Sequence, residues 1–270
     1  KPSKTTLGEF LRQWLRDYAA TNVRPRTLEG YRGIVDAHLV PKLGSVPLSE
    51  LQPSHLQRYY SRLLKDGRLD GKPGGLSARS VLHHHRVLSE ALSHAVKWGL
   101  LTRNVAQAVD PPSPRRAEMA VLDTTAIGTL LEAAQGSVYY PMIHLALYTG
   151  LRRSEFLGLR WADVNLDMAT LSVIQVMHHL RDGRNIYQEP KSAKGRRLVA
   201  LSPTAVLALR AHRERQEADL AMMGAVLTDD ALVFSHVDGS PYLPDSVSHG
   251  FRKIAHRAGL KGVRLHDLRH

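Results

Sequence analysis

The chain contains no cysteine in 270 residues. That excludes disulfides, thiolate metal sites and a cysteine nucleophile, and it fits a reducing compartment. No apolar run approaches the ~18 residues of a membrane span, so no transmembrane segment is expected. The first residues, Lys1-Pro2-Ser3-Lys4, lack the apolar core of a signal peptide, and the chain does not begin with Met. There is no internal repeat and no low-complexity tract. The glycines between Gly150 and Gly158 lack the spacing of a phosphate-cradling loop.

The chain carries an excess of positive charge. Its formal net charge is +12 at pH 7, and its pI is about 10.1. A balance of this size points to a polyanionic partner, most often nucleic acid. Residues 1–117 hold 19 Lys+Arg against 9 Asp+Glu, and residues 118–270 hold 18 against 16. Phosphate neutralisation dominates non-specific DNA affinity, so the first part is expected to supply most of the electrostatic grip.

The run Pro111-Pro112-Ser113-Pro114-Arg115-Arg116 predicts an extended linker, because prolines remove backbone donors and restrict the residues before them. Three segments follow: residues 1–110, a linker at 111–117, and residues 118–270. In the first, Leu7, Phe10, Leu11, Trp14, Leu15 and Tyr18 recur at helical spacing, as do Leu28, Tyr31, Ile34, Val35 and Leu39. Leu56, Tyr59, Leu63 and Leu64 follow Pro53-Ser54, with Ser54 as a candidate cap. The longest helix is expected from Ser77 to Trp98, with Val81, Leu82, Leu88, Ala91, Leu92 and Val96 inward and Gly99 as its stop. Residues 67–75 form a glycine-rich loop, expected to be mobile.

The second part reads as mixed. Helices are expected at residues 124–134, 139–149, 203–222 and 246–258. Residues 170–180 are β-branched and apolar, Asp182-Gly183 is a hairpin signal, residues 185–189 return, and residues 197–201 follow a second turn. The expectation is a three-stranded antiparallel meander, with a short strand at residues 231–234. The fold class is therefore an α-helical N-terminal bundle plus an α+β domain with a three-stranded antiparallel sheet.

Three clusters bear chemistry. Arg152 follows Thr149-Gly150, which ends one helix, and a new helix is expected near Arg153, a favourable place for an anion. Glu155 is close enough to orient a guanidinium. His266 and Arg269, at i and i+3, share a face if helical. Lys191 and Lys194 lie on the turn after residue 189, where a lysine with a lowered pKa can act as a general acid. Arginine is suited to a phosphodiester because its planar fork grips two oxygens at once. Each cluster taken singly has an ordinary explanation as solvated surface. His83-His84-His85 cannot converge on one ion from a helix, since successive residues lie ~100° apart, and the run is read as helix surface. His178-His179 point to opposite faces of a strand. No metal or other cofactor is expected. Lys4, Arg24, Arg26, Arg79, Arg86 and Arg103 are the candidate DNA-backbone contacts of the first part.

Taken together, Thr149-Gly150-Leu151-Arg152-Arg153-Ser154-Glu155, the turn Pro190-Lys191-Ser192-Ala193-Lys194-Gly195-Arg196-Arg197, and His266-Asp267-Leu268-Arg269-His270 resemble the tyrosine recombinase (phage integrase) family in order and spacing. The resemblance spans essentially the whole chain. It implies a core-binding domain and a catalytic domain closing on double-stranded DNA as a clamp. It also implies site-specific breakage and rejoining through a 3′-phosphotyrosyl link. Arg152 and Arg269 would bind the non-bridging oxygens, and Lys191, or Lys194 given the variable turn, would protonate the leaving 5′ oxygen. His266 would assist the proton transfer or hold the phosphate, and Glu155 would support the arginines. The resemblance further implies a bacterial or phage-encoded cytoplasmic protein, working as a homo-tetramer on paired sites. The family's nucleophilic tyrosine lies downstream of the second arginine, and none of the nine tyrosines here is a good substitute. These 270 residues alone are therefore expected to be monomeric and to bind DNA without forming the covalent link. A type IB-like topoisomerase, a resolvase and a non-catalytic DNA-binding protein of the same fold are the rival readings.

Overall fold

The structure, a computed structural model, describes residues 4–115 and 121–269. Arg116 and Ala117, the end of the expected linker, and His270 lie outside the described residues. The chain divides into two compact units, residues 1–117 and 118–270. Residues 111–115 have no regular structure, as a proline-rich run requires.

The first unit is helical. Helix α1 (Leu7–Trp14) continues through a π turn (Leu15–Ala19) into a last turn (Ala20–Asn22). Its start is fixed by a capping box: the Thr6 backbone N–H donates to Glu9 Oε2 at 2.8 Å, and the Glu9 N–H donates to Thr6 Oγ1 at 3.3 Å. Helix α2 (Pro25–Ile34) also runs on through a π turn (Val35–Leu39). Helix α3 (Pro53–Asp66) is capped by Gln52, whose backbone N–H donates to the His55 ring, and not by Ser54, which lies inside the helix. Helix α4 (Ala78–Lys97) begins on the Ser77 cap. Phe10, Leu11, Trp14, Leu39, Leu56, Tyr59, Val81, Leu88 and Leu92 form its core, each contributing about 1.5–3 kcal/mol by leaving water. Leu82 and Val96, expected inward, are only half-buried, while His84 is 4% exposed. The Tyr59 hydroxyl lies 2.8 Å from His84 Nδ1, and the Tyr60 hydroxyl 3.0 Å from His85 Nδ1. The expected histidine surface is thus partly core, tolerated because Nδ1 of the buried His84 ring meets the Tyr59 hydroxyl.

In the second unit, α5 (Thr124–Ala134) starts on an Asp123 cap, and α6 (Tyr140–Thr149) ends on Gly150 in the left-handed region, φ +61°. Helix α7 (Arg153–Phe156) is a single turn. The strands are β1 (Val164–Asn165), β2 (Thr170–Val173), β3 (Val176–His179), β4 (Asn185–Gln188) and β5 (Arg197–Ala200). A three-stranded antiparallel sheet is present, but its order is β1-β2-β5, and β3-β4 form a separate hairpin. The expected continuous strand breaks between β2 and β3, where the Gln175 side chain donates to the Gly158 carbonyl at 2.8 Å. Gly158 suits this close approach, because a Cβ would meet the Met177 nitrogen at 3.0 Å and the Val176 carbonyl carbon at 3.1 Å, so that the backbone would have to shift. Residues 231–235 form isolated bridges to Arg160 and Pro241 in place of the expected strand. Helices α8 (Pro203–Met222) and α9 (Pro244–Arg257), with a closing 3-10 turn (Leu265–Arg269), complete the unit.

Candidate active site

The site grows from the sharp exit of α6. Gly150 halts the helix, the buried Leu151 pins the next residue, and Arg152 takes an extended conformation before α7. Glu155, one turn on, is buried. Its carboxylate accepts from the Arg152 backbone N–H at 2.8 Å and from Arg152 Nη1 at 2.7 Å. The other side of the same carboxylate takes a two-pronged fork from Arg197, at 3.1 and 2.8 Å. Burial pushes the Glu155 pKa up, but the bonds from Arg197 and Arg152 outweigh it, and the net value lies below the ordinary one. Glu155 is therefore a fixed anion that holds Arg152 by backbone and side chain together. Helix α7 has only four residues, so this lock, and not the expected helix terminus, is what prepares the place for an anion.

Arg269 reaches the same exit from the other end of the unit. Its Nε donates to the Gly150 carbonyl at 2.7 Å. Burial, followed by the neighbouring Arg152 cation, lowers its pKa, but a guanidinium in a protein stays charged. The 3-10 turn carrying it has three residues per turn, so His266 at i−3 lies on the same face. Asp267, between them, is buried and accepts from the Arg264 backbone N–H at 2.8 Å and from its guanidinium at 2.7 Å.

Arg152, His266 and Arg269 line one cleft, with Arg153, Ser154, His178, Ser248, Arg252 and Arg264. Lys191 and Lys194 do not line it. They are exposed on the segment between β4 and β5, which connects two different sheets and is not a hairpin turn. Arg197 anchors that segment's far end to Glu155. Sequence reasoning missed Arg197. No local signal identifies it, because only the tertiary fold brings the Glu155 carboxylate to it. It also missed His178, Arg252 and Arg264 as cleft residues. Among the described residues no tyrosine lines the cleft.

In the first unit, Arg79 and Arg86 are exposed on α4, seven residues apart and so on one face, with the exposed His83 between them. Lys4 and Arg103 are exposed, Arg24 precedes α2 and is half-buried, and Arg26 is engaged by Glu29. Among the described residues no helix is long and apolar enough to cross a membrane, and no group of three His, Asp or Glu could hold a metal ion.

The described residues thus form a helical unit and an α+β unit whose cleft is walled by arginines, a lining suited to an anion. Residues 6–64 match the phage integrase N-terminal SAM-like domain, and residues 120–270 match the phage integrase family. The chain belongs to that family, the tyrosine recombinases. It is 25% identical over 283 residues to a tyrosine recombinase XerC-like protein of Caldanaerobacter subterraneus subsp. tengcongensis, covering 98% of this chain and 70% of that one. Its fold matches the Tn1549 transposon integrase in complex with a circular intermediate DNA, with TM-score 0.80 at 19% identity, covering 98% of this chain and 84% of that one. It also matches a lambda integrase tetramer bound to a Holliday junction, with TM-score 0.65 at 19% identity, covering 98% and 70%.

Proposed function

We propose that this protein is a recombinase that breaks and rejoins double-stranded DNA at specific sites through a 3′-phosphotyrosyl intermediate, integrating or excising a mobile element. The observation that supports this most is the convergence of Arg152 and Arg269 on the Gly150 exit, one clamped by Glu155 and the other bonded to the Gly150 carbonyl. Two fixed guanidiniums there present forks to the two non-bridging oxygens of one phosphodiester. Charge grows on those oxygens in the transition state, and donors that need no reorganisation stabilise it most.

His266, on the face of Arg269, holds the phosphate or passes the proton of the attacking hydroxyl. Lys191 is the general acid for the leaving 5′ oxygen, with Lys194 as the alternative. Neither lines the cleft as it stands, so this role requires the β4–β5 segment to move onto bound DNA. Residues 1–110 supply the backbone contacts, with Lys4, Arg24, Arg26, Arg79, Arg86 and Arg103 foremost. Protomers assemble as a tetramer on paired sites.

The nine tyrosines within these 270 residues do not supply the nucleophile. Incubating residues 1–270 with a nicked suicide duplex tests this. The expected result is salt-sensitive binding and no covalent band. A covalent adduct would overturn the assignment of the tyrosine, and absence of duplex affinity would overturn the whole reading. Relaxation of a plasmid without paired-site exchange, by protein that carries the nucleophile, would favour a topoisomerase.

A further inference from the structure

The cleft holds more arginine than one phosphodiester can use. A phosphodiester offers two non-bridging oxygens, and the forks of Arg152 and Arg269 satisfy them. Arg153 is occupied elsewhere, donating to the Pro244 carbonyl at 2.8 Å and pairing with Asp245 at 3.6 Å. Two guanidiniums on the cleft wall remain, those of Arg264 and Arg252.

Arg264 is built like Arg152. In each, a buried carboxylate three residues on accepts from the arginine's own backbone N–H at 2.8 Å and from its guanidinium at 2.7 Å. The Glu155 and Asp267 side chains are 2% and 3% exposed, while those of Arg152 and Arg264 are 53% and 66% exposed. Each arginine is thus fixed on its protein side and open on the other. Fixing a flexible side chain before the ligand arrives lowers the entropic cost of binding. The Asp267 fork uses Nε and Nη2 of Arg264, which leaves Nη1 for an incoming oxygen. Arg252 stands exposed on α9, one turn beyond Ser248, and both line the same cleft.

We propose that Arg264, assisted by Arg252, forms a second phosphate subsite that holds the DNA phosphate next to the one gripped by Arg152 and Arg269. This rests on the reading of the cleft given above. A two-phosphate grip fixes the direction of the strand through the cleft, which a single tetrahedral group cannot do. Arg264 is a binding and positioning residue in this scheme and takes no part in the chemistry.

The test uses residues 1–270 and a set of duplexes in which single phosphates are replaced by uncharged methylphosphonates. For the unaltered protein, two adjacent replacements, at the cleavage position and at one neighbour, should each weaken binding about tenfold. In Arg264→Gln, which can still donate to Asp267, sensitivity at the neighbour should vanish while sensitivity at the cleavage position persists. The salt slope should fall by about one. Arg252→Ala, on an exposed helix face, should reduce the same neighbour effect with no change in melting temperature. If the neighbour replacement weakens both variants as much as the unaltered protein, the subsite is wrong and Arg264 only caps its turn. If no replacement weakens the unaltered protein, the phosphate reading of the cleft fails, and the subsite with it.

Discussion

Glu155 shows how one buried carboxylate governs a site that it does not enter. It satisfies Arg152, Arg197 and a backbone N–H at once, so removing it leaves two cations and a donor to find other partners. Breaking a fully buried pair costs about 3–5 kcal/mol, but Arg152 is half exposed and recovers water. Glu155→Ala should therefore lose about 1–3 kcal/mol of stability, read from the urea midpoint at pH 7. Because the folded pKa of Glu155 lies below its ordinary value, its contribution is present above about pH 4.3 and fades as pH falls through the folded value. Glu155→Gln should show a smaller acid-dependent loss than the unaltered protein, and equal losses would contradict the assignment. Arg197→Lys keeps the charge but not the fork, and should still be less stable by about 1 kcal/mol. Full stability in that variant would mean that the fork geometry contributes nothing.

Elements carry a second set of consequences. Gly150 ends α6 at φ +61°, and a Cβ there would meet nothing within 4 Å. Gly150→Ala should therefore cost about 1–2 kcal/mol through backbone conformation alone, visible as a lowered melting temperature. Between α3 and α4, burial and then the neighbouring His38 lower the His84 pKa to about 4. The His38 ring, itself beside Lys42, lies 4.7 Å from that of His84. Below about pH 6.5 the unfolded chain takes up a proton that folded His84 refuses. The contribution of His84 to the stability of the first unit should fall from about pH 6.5 down to about pH 4, by up to roughly 3 kcal/mol. His84→Gln, which can still bond Tyr59, should flatten that profile in urea titrations followed by Trp14 and Trp98 fluorescence. An unchanged profile would place the titration elsewhere. The helices themselves were legible: residues 124–134 and 203–222 are read from the sequence with the bounds that the structure gives them, because period and caps are local. Strand partners were not legible. The Asp182-Gly183 signal correctly pairs β3 with β4, but nothing local says that β5 passes them to join β2. Burial of His84 was equally hidden, since only the tertiary fold brings the Tyr59 hydroxyl to it. At the site, Arg152, His266 and Arg269 were grouped by the family resemblance and not by any single motif, and the structure places the three along one cleft. Arg197 was not legible, because its function is defined by a carboxylate 42 residues away.

At the scale of the molecule, charge and division into units act together. Positive charge is concentrated in residues 1–117, while the cleft with its fixed arginines belongs to residues 118–270. A duplex gripped by both units binds the second without a new translational cost, because the connecting residues keep it at high effective concentration. The two units then contribute differently to affinity. On the proposed reading, the first would add several exposed, salt-sensitive contacts that carry no sequence information, and the second would add a few fixed ones. Each phosphate contact removed should lower the slope of log affinity against log salt by about 0.9. Reversing Arg79, Arg86 and Arg103 to Glu should therefore lower the slope by about 3. Binding should weaken by a similar factor on every sequence tested, because phosphates and not base edges are contacted. Arg152→Ala, in contrast, should change the slope by about one. Fluorescence-anisotropy titrations across a salt series, on one related and one unrelated duplex, measure both quantities. An unchanged slope in the triple variant would place the grip elsewhere in the first unit. A loss confined to one duplex would show that these arginines read bases.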